Sequence, residues 1–346
     1  MSLLKPNIKR KEDFDILVEQ FLFDFELSFE KTLSLIDQPV LNSAKEVSLC
    51  GGKRYRPTLC FLCGYPDAIY TELMKASIVL ELVHIASLVH DDVLDNAKFR
   101  RGKLAIHHNI GVNESILLGD ALFSYALELS TEFSENLVCK IVSKATRKTC
   151  SGEIAQNSVI GDFGISIKQY EQIISDKTGY LFGAACKLGG IFSGVESFDL
   201  KNLESIGLSL GICYQLFDDI VDAFGNEHNF GKSLGSDFFS QKPTLPVLLL
   251  LESCEEKESI EIMNLFSENI IKESSIDTIT SYFERYDILN QCIVFFNNQY
   301  EKINFLVDSL ECTSTKENLS AFITSFSRKA AFLNHLKQSN FLAVHT

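Results

Sequence analysis

The stretch 89-VHDDVLD-95 decides how this chain reads. It puts three carboxylates into a segment that is otherwise apolar: Ile78, Val79, Leu80, Leu82, Val83, Ile85, Leu88, Val89, Val93 and Leu94 surround them between residues 68 and 95. That is the pattern of a buried helix, apolar nearly all round. The same Asp-Asp-x-x-Asp spacing returns at 216-LFDDIVD-222, inside a second apolar segment. On a helix each residue turns by about 100°, so Asp91 and Asp95 lie about 40° apart and Asp92 about 60° to the other side. Asp218, Asp219 and Asp222 repeat that geometry. Carboxylates crowded on one arc repel, and burial raises the cost of their charge. Cations must compensate them, or water must reach them.

A solvated acidic face or a set of capping acids is the plain alternative. Two copies of one spacing, both in apolar helices, are where that alternative fits worst. Oxygen-rich sites suit Mg²⁺ or Ca²⁺. A calcium loop would need its acids on a glycine-containing turn, whereas Mg²⁺ is commonly held by one or two carboxylates plus substrate phosphates. The expected picture is two acidic helices facing across a cavity, with Mg²⁺ ions and a phosphorylated ligand between them.

Working outward, the rest of the sequence is helical in pattern. Helices are expected over 12–36, 68–95, 115–133, 136–158, 168–194 and 201–224, with another starting behind proline at 243–251 and more from 257 to 346. Alternating strand patterns are scarce and only six prolines occur. The fold class is therefore all-α, a large helical bundle. With no Pro/Gly/Ser-rich linker and no repeat, residues 1–346 read as one domain. Gly179, Gly183 and Gly190 fall on a helical pattern and read as close-packing positions, while 225-GNEHNFGKSLGSD-237 is loop chemistry after the second aspartate run.

Net charge is −14, which argues against nucleic acid as a partner, since its binders carry a basic patch. Local charge can still oppose that balance. Lys53, Arg54 and Arg56 cluster in 51-GGKRYRP-57, and 98-KFRRGK-103 follows the first aspartates. Lys177, Lys232 and Lys242 stand at or near expected helix ends. Together they suggest a polyanion gripped by metal on one side and by Lys/Arg on the other. Ten cysteines are irregularly spaced, and Cys60-x-x-Cys63 has no second pair to complete a zinc site, so it reads as two buried thiols on a helix. The N-terminus has no secretory pattern, and no run of about 18 apolar residues is evident. A soluble protein of a reducing cytoplasm is expected.

These motifs resemble those of the trans-prenyltransferases, the isoprenyl diphosphate synthases that elongate allylic diphosphates. The matching segments are 51-GGKRYRP-57, 81-ELVHIASLVHDDVLD-95, 99-FRRG-102, 119-GDALFS-124, 152-GEIAQ-156, 177-KTGYLF-182, 214-YQLFDDIVD-222, 231-GKSLGSD-237 and 242-KPTLP-246, in family order over about residues 50–250. The resemblance implies an isoprenoid-synthase bundle around a deep central cavity, usually a homodimer. It also implies Mg²⁺-dependent condensation of an allylic diphosphate with isopentenyl diphosphate, with three ions when substrate is bound.

By position, Asp91, Asp92, Asp95, Asp218, Asp219 and Asp222 would hold the metal. Arg100, Lys177, Thr178, Gln215, Lys232 and Lys242 would serve the allylic diphosphate, with Thr178 and Gln215 lining the region where the carbocation forms. Lys53, Arg56, His84 and Arg101 would bind isopentenyl diphosphate, and His90 would be structural. Two departures from the pattern are Gly179 after Lys-Thr, where the family has Ala, and Gln241 before Lys242, where it has Gly. Small residues at Ala86 and Ser87, where short-chain members carry bulky aromatics, imply an open pocket and a long-chain product of the kind used for quinone side chains. Phe123 and Tyr125 would form a deeper floor, and a twenty-carbon product is the runner-up. So apolar a product implies transient contact with a membrane surface. A class I terpene cyclase fits less well, because its second motif is of the Asn/Asp-Ser/Thr-Glu type. A head-to-head synthase has more widely spaced acids. A non-catalytic partner subunit would not need both aspartate sets intact.

Overall fold

The computed structural model describes residues 11–37, 40–48, 52–134, 136–225, 238, 240–267 and 273–343. Their helices are α1 (Lys11–Leu33), α2 (Val40–Ser48), α3 (Tyr55–Gly64), α4 (Tyr70–Leu94), α5 (His107–Ile110), α6 (Val112–Ser130), α7 (Leu137–Ser158), α8 (Ile167–Ile174), α9 (Tyr180–Ser193), α10 (Ser197–Phe224), α11 (Leu245–Ser253), α12 (Glu256–Ser267), α13 (Glu273–Arg285), α14 (Ile288–Asp308) and α15 (Thr313–Ala343). Among the described residues the only strands are β1 (Phe99–Arg100) and β2 (Lys103–Leu104), an antiparallel pair in which Phe99 faces Leu104 and Arg100 faces Lys103. The fold is all-α, as the periodicity requires.

Contacts divide the chain into two compact units. The first comprises residues 1–147, 181–207 and 306–322. Its core begins with α1, whose Phe14, Phe21, Phe25, Phe29 and Leu33 recur at helical spacing on one buried face. Phe21 stacks on Phe61 of α3 with centroids 4.2 Å apart. α4 lies along α6 and against α3. Cys60 and Cys63 are fully buried on α3, as expected of two core thiols. α4 is long and apolar enough by length and composition to match a membrane span, but 72% of its most apolar stretch is buried inside the protein, as in a core helix.

The second unit comprises residues 148–180, 208–305 and 323–346. α8 starts at a capping box: Ser166 Oγ accepts from the Gln169 backbone N–H, and the Gln169 side chain accepts from the Ser166 N–H. α11 starts with Pro246 in its first turn and packs against α8 and α13. Between α8 and α9 the helix does not end but widens into a π-turn at Ser175–Gly179. Residues 168–194, expected as one helix, are therefore two helices joined by that turn, and Lys177 sits within the turn rather than at a helix end. The reason is local packing. A Cβ on Gly211 would lie 2.6 Å from the Gly179 Cα, so two glycines let α10 meet the turn backbone to backbone. The π-turn is a recurrent device at functional sites because it re-aims the side chains it carries.

Candidate active site

The first aspartate set closes α4. Asp92 is buried, Asp91 half-buried and Asp95 exposed. The chain then turns into the β1–β2 hairpin, which brings Arg100 back over the helix end. Its Nε and Nη2 donate to Asp92 Oδ1 at 2.6 and 2.5 Å. Arg101 at the hairpin tip has the left-handed backbone that the turn needs, φ 50°, and a Cβ placed on Gly52 would lie 3.0 Å from its guanidinium. That puts Arg101 beside the 52–56 segment. There Lys53 is exposed, with its ammonium 5.9 Å over the Tyr55 ring. The Arg56 guanidinium stacks 4.5 Å over Phe182. Half-buried His84 is held well below its ordinary pKa, first by burial and then by Arg56, Arg101, Arg100 and Arg54. The imidazole is thus neutral near pH 7 and set among arginines. Of the four residues chosen from sequence, Arg56, His84 and Arg101 come together, and exposed Lys53 stands on the neighbouring segment.

Behind this group a cavity of about 320 Å³ is lined by Arg54 and Glu81 as well as Asp92, Arg100 and Arg101, with Ile85, Leu88 and Ile106 among its apolar walls. Ile85 and Leu88 therefore face this cavity. Ala86 is fully buried on another side of α4, and the Ser87 hydroxyl is turned back to the His84 carbonyl at 2.7 Å. His90 packs over Gly119 of α6, where any Cβ would fall 2.2 Å from its Nε2, and that nitrogen meets the Ile116 carbonyl at 3.0 Å. Phe123 lies against the His90 ring, 5.7 Å between centroids. Tyr125 is turned away to donate to the Thr32 carbonyl at 3.1 Å, nearly opposite Phe123 on α6.

The second aspartate set lies near the end of α10, in the second unit. Here Asp219 is held by neutral donors. The Tyr170 hydroxyl donates to Asp219 Oδ2 at 2.6 Å, and Gln215 Nε2 donates to Oδ1 at 2.8 Å. Gln215 Oε1 in turn accepts from the Thr178 hydroxyl at 3.1 Å. Burial pushes the Asp219 carboxyl up to about 6, and Asp218 and Asp222 add repulsion, against the lowering effect of Tyr170 and Gln215. Asp218 and Asp222 are half-buried. The Lys177 ammonium is held by Gln156 Oε1 and Glu153 Oε2, each at 2.6 Å. A Cβ on Gly152 would fall 2.2 Å from the Lys177 backbone N, so α7 can approach the π-turn only because glycine stands there. Lys242 is half-buried in the turn before α11. Lys232 lies outside the described residues.

Tyr170 and Glu153 are the members that sequence reasoning left without a role, and Arg54 was read there only as one cation of a cluster. Glu153 stood in plain view in 152-GEIAQ-156. Tyr170 is 49 residues from its carboxylate and gives no local signal.

Among the described residues no three Asp, Glu, His or Cys side chains converge as a ready cage for a metal ion. Each aspartate set offers hard oxygen donors but not a full coordination shell. That fits an ion which takes its remaining ligands from water and substrate phosphate, as Mg²⁺ does. Asp219 points the same way: burial and the neighbouring Asp218 and Asp222 raise its pKa, and a divalent cation held there would favour its charged form.

The sequence pattern of the family described as polyprenyl synthetase matches residues 38–283, running through both units. The chain belongs to that family. It is a prenyltransferase family, and similar proteins carry such names. Solanesyl diphosphate synthase 1 of Arabidopsis thaliana is 33% identical over 287 residues, covering 80% of this chain and 70% of that one. Heptaprenyl diphosphate synthase component 2 of Bacillus subtilis is 31% identical over 276 residues, 78% of each. Among solved structures, the Caulobacter crescentus polyprenyl synthase, complexed with calcium and isoprenyl diphosphate, superposes with a TM-score of 0.80 at 27% identity. The match covers 91% of this chain and 96% of that one.

Proposed function

We propose that the chain is a Mg²⁺-dependent trans-polyprenyl diphosphate synthase. It condenses an allylic diphosphate with isopentenyl diphosphate, and its product is a long chain of the kind found in quinone side chains. The observation that carries this reading is the Arg100 guanidinium on Asp92, at a cavity that Arg101 also lines, together with a second set of the same spacing whose buried Asp219 is held by Tyr170 and Gln215. Breaking the allylic C–O bond leaves a carbocation and pyrophosphate, so the barrier falls with every positive charge fixed at the leaving group. Magnesium held by the six aspartates supplies part of that charge when bound.

The chain supplies the rest. Arg100, Lys177, Lys232 and Lys242 serve the allylic diphosphate. Lys53, Arg56, Arg101 and neutral His84 serve the second diphosphate. Gln215 and Thr178 present oriented dipoles to the cation without offering a competing nucleophile, because each is already hydrogen-bonded in place. The isopentenyl double bond attacks the cation, one C–C bond forms, and a proton leaves to the released pyrophosphate. Water must be kept out meanwhile.

Ala86 and Ser87 in place of aromatics favour growth beyond fifteen carbons, with Phe123 as a deeper limit. The solanesyl and heptaprenyl names of similar proteins support the same direction. The working form is a homodimer of the cytoplasm that touches a membrane surface to discharge its product. The word "component" in the B. subtilis relative's name favours a second reading, in which the active form needs a different partner chain.

One incubation tests all of this: purified protein with labelled isopentenyl diphosphate, farnesyl diphosphate and Mg²⁺, products resolved by chain length. A discrete product beyond twenty carbons is expected. A stop at twenty carbons moves the floor upward and overturns the long-chain reading. No product from folded protein alone, with any allylic primer, moves the two-chain enzyme or the cyclase to the front.

A further inference from the structure

Arg54 is the cation of the 51-GGKRYRP-57 segment that touches no proposed substrate group. It is only 6% exposed, and its backbone is left-handed, φ 47° and ψ 38°, unfavourable for a residue with a side chain. Something must hold it there, and the structure gives the holders. Nη1 donates to Glu81 of α4 at 2.6 Å. Nε and Nη2 donate to the two carboxylate oxygens of Glu26 of α1 at 2.7 and 3.2 Å. The guanidinium lies 5.9 and 5.6 Å from the Phe25 and Phe29 ring centres. Burial alone would weaken the hold on its proton, but the two glutamates outweigh that and raise its pKa above the ordinary value. Its carbonyl accepts from both the Thr58 N–H (3.0 Å) and the Thr58 hydroxyl (2.8 Å). The residue is clamped at both ends, with Lys53 directly before it and Arg56 two positions after.

We infer that Glu26, on a helix that precedes the family match, is a positioning residue for the isopentenyl diphosphate site, acting through Arg54. This rests on the proposed function. The pair Glu26–Arg54 fixes the strained turn that sets the separation of Lys53 and Arg56, and with it their fit to a diphosphate. α1 lies outside residues 38–283, so the family pattern alone does not contain this control.

The test uses Glu26→Gln in the full chain. The Glu26 side chain is 51% exposed, so the variant does not leave a buried charge on its own side. Simple electrostatics and positioning predict opposite signs. Removing a negative charge beside a cationic site should tighten an anion; loosening the clamp should weaken it. Calorimetric titration with isopentenyl diphosphate, without allylic primer so that no condensation occurs, reads binding alone. The expected result is affinity weakened about tenfold, with the affinity for farnesyl diphosphate unchanged. Arg54→Lys, which keeps the charge but loses the fork, should show the same split. Unchanged or tighter isopentenyl diphosphate binding in Glu26→Gln overturns the inference, and so does an equal loss for both ligands, which would mark a general structural effect. Wild-type protein that binds neither diphosphate overturns the proposed function itself, a distinct failure.

Discussion

The two aspartate sets share one spelling and differ in everything around them. In the first, a charged partner answers a buried carboxylate: Arg100 puts two N–H groups on Asp92. In the second, two neutral donors do so: Tyr170 and Gln215 hold Asp219, whose carboxyl stays pushed up to about 6 by burial. A guanidinium cancels charge; a hydroxyl and an amide only solvate it. Asp92 therefore has a fixed counter-charge before any ligand arrives, while the two donors on Asp219 carry none. The same motif is built with a charged partner on its buried carboxylate in one arm and neutral partners in the other.

The widest test of that contrast is to delete a carboxylate from each. Asp91→Ala and Asp218→Ala should each lower turnover by about 10³ or more with helicity unchanged by circular dichroism, since leaving-group charge stabilisation is the largest single contribution here. Near-wild-type turnover in both would remove the metal assignment. Next comes the neutral arm. Tyr170→Phe removes a hydroxyl that lowers the Asp219 pKa, so the carboxyl should rise further above 6 and the Mg²⁺ concentration for half-maximal turnover should rise about 10–100-fold, the usual scale for a ligand's hydrogen-bond partner. An unchanged Mg²⁺ requirement would show that Tyr170 only fills space.

How much of this was legible before the fold was known follows from the same contrast. The carboxylates and their helical arc were readable because 3.6-residue periodicity is local, and Arg100 was readable because it lies eight residues from Asp92. Tyr170 was not, since nothing in a sequence says which tyrosine will meet residue 219. The π-turn was invisible as well: Gly179 looked like a packing position, and it is, but the widening that places Lys177 in mid-helix needs it in contact with Gly211 of α10, which no local pattern announces. Tyr125 shows the limit from the other side. It shares a helix with Phe123, yet a spacing of two, about 200° of turn, sends it to Thr32 instead of to the same wall.

The charged arm predicts a smaller effect, on stability. Arg100→Gln leaves Asp92 buried without its counter-charge, which should cost about 1–3 kcal/mol in denaturant unfolding at pH 7. Arg100→Lys, which keeps a charge there but loses the fork, should recover part of the deficit. An equal deficit in Arg100→Lys and Arg100→Gln would mean that Arg100 packs against the helix end rather than neutralises it.

The smallest effect concerns His84, whose place among four arginines makes the first unit sensitive to acid. Its folded pKa is well below 6.5, the ordinary value, so between the two the unfolded chain carries a proton that the folded chain does not. More protons on the unfolded state mean that stability rises with pH. The contribution is fully present above pH 6.5 and is lost as pH falls below it, with a slope of at most about 1.4 kcal/mol per pH unit for one proton. His84→Gln should flatten that limb between pH 6.5 and 5. Carboxylates that titrate over the same range are common to both proteins and cancel in the difference. If the slope survives intact in the variant, His84 is not its source and its depressed pKa, from burial first and the arginines second, does not reach stability. A diphosphate bound among them should have the opposite effect: two or more negative charges near His84 would raise its pKa, so isopentenyl diphosphate should protect the wild type most at low pH and the variant equally at all pH values. That difference would separate a histidine that senses the second substrate from one that is merely buried beside it.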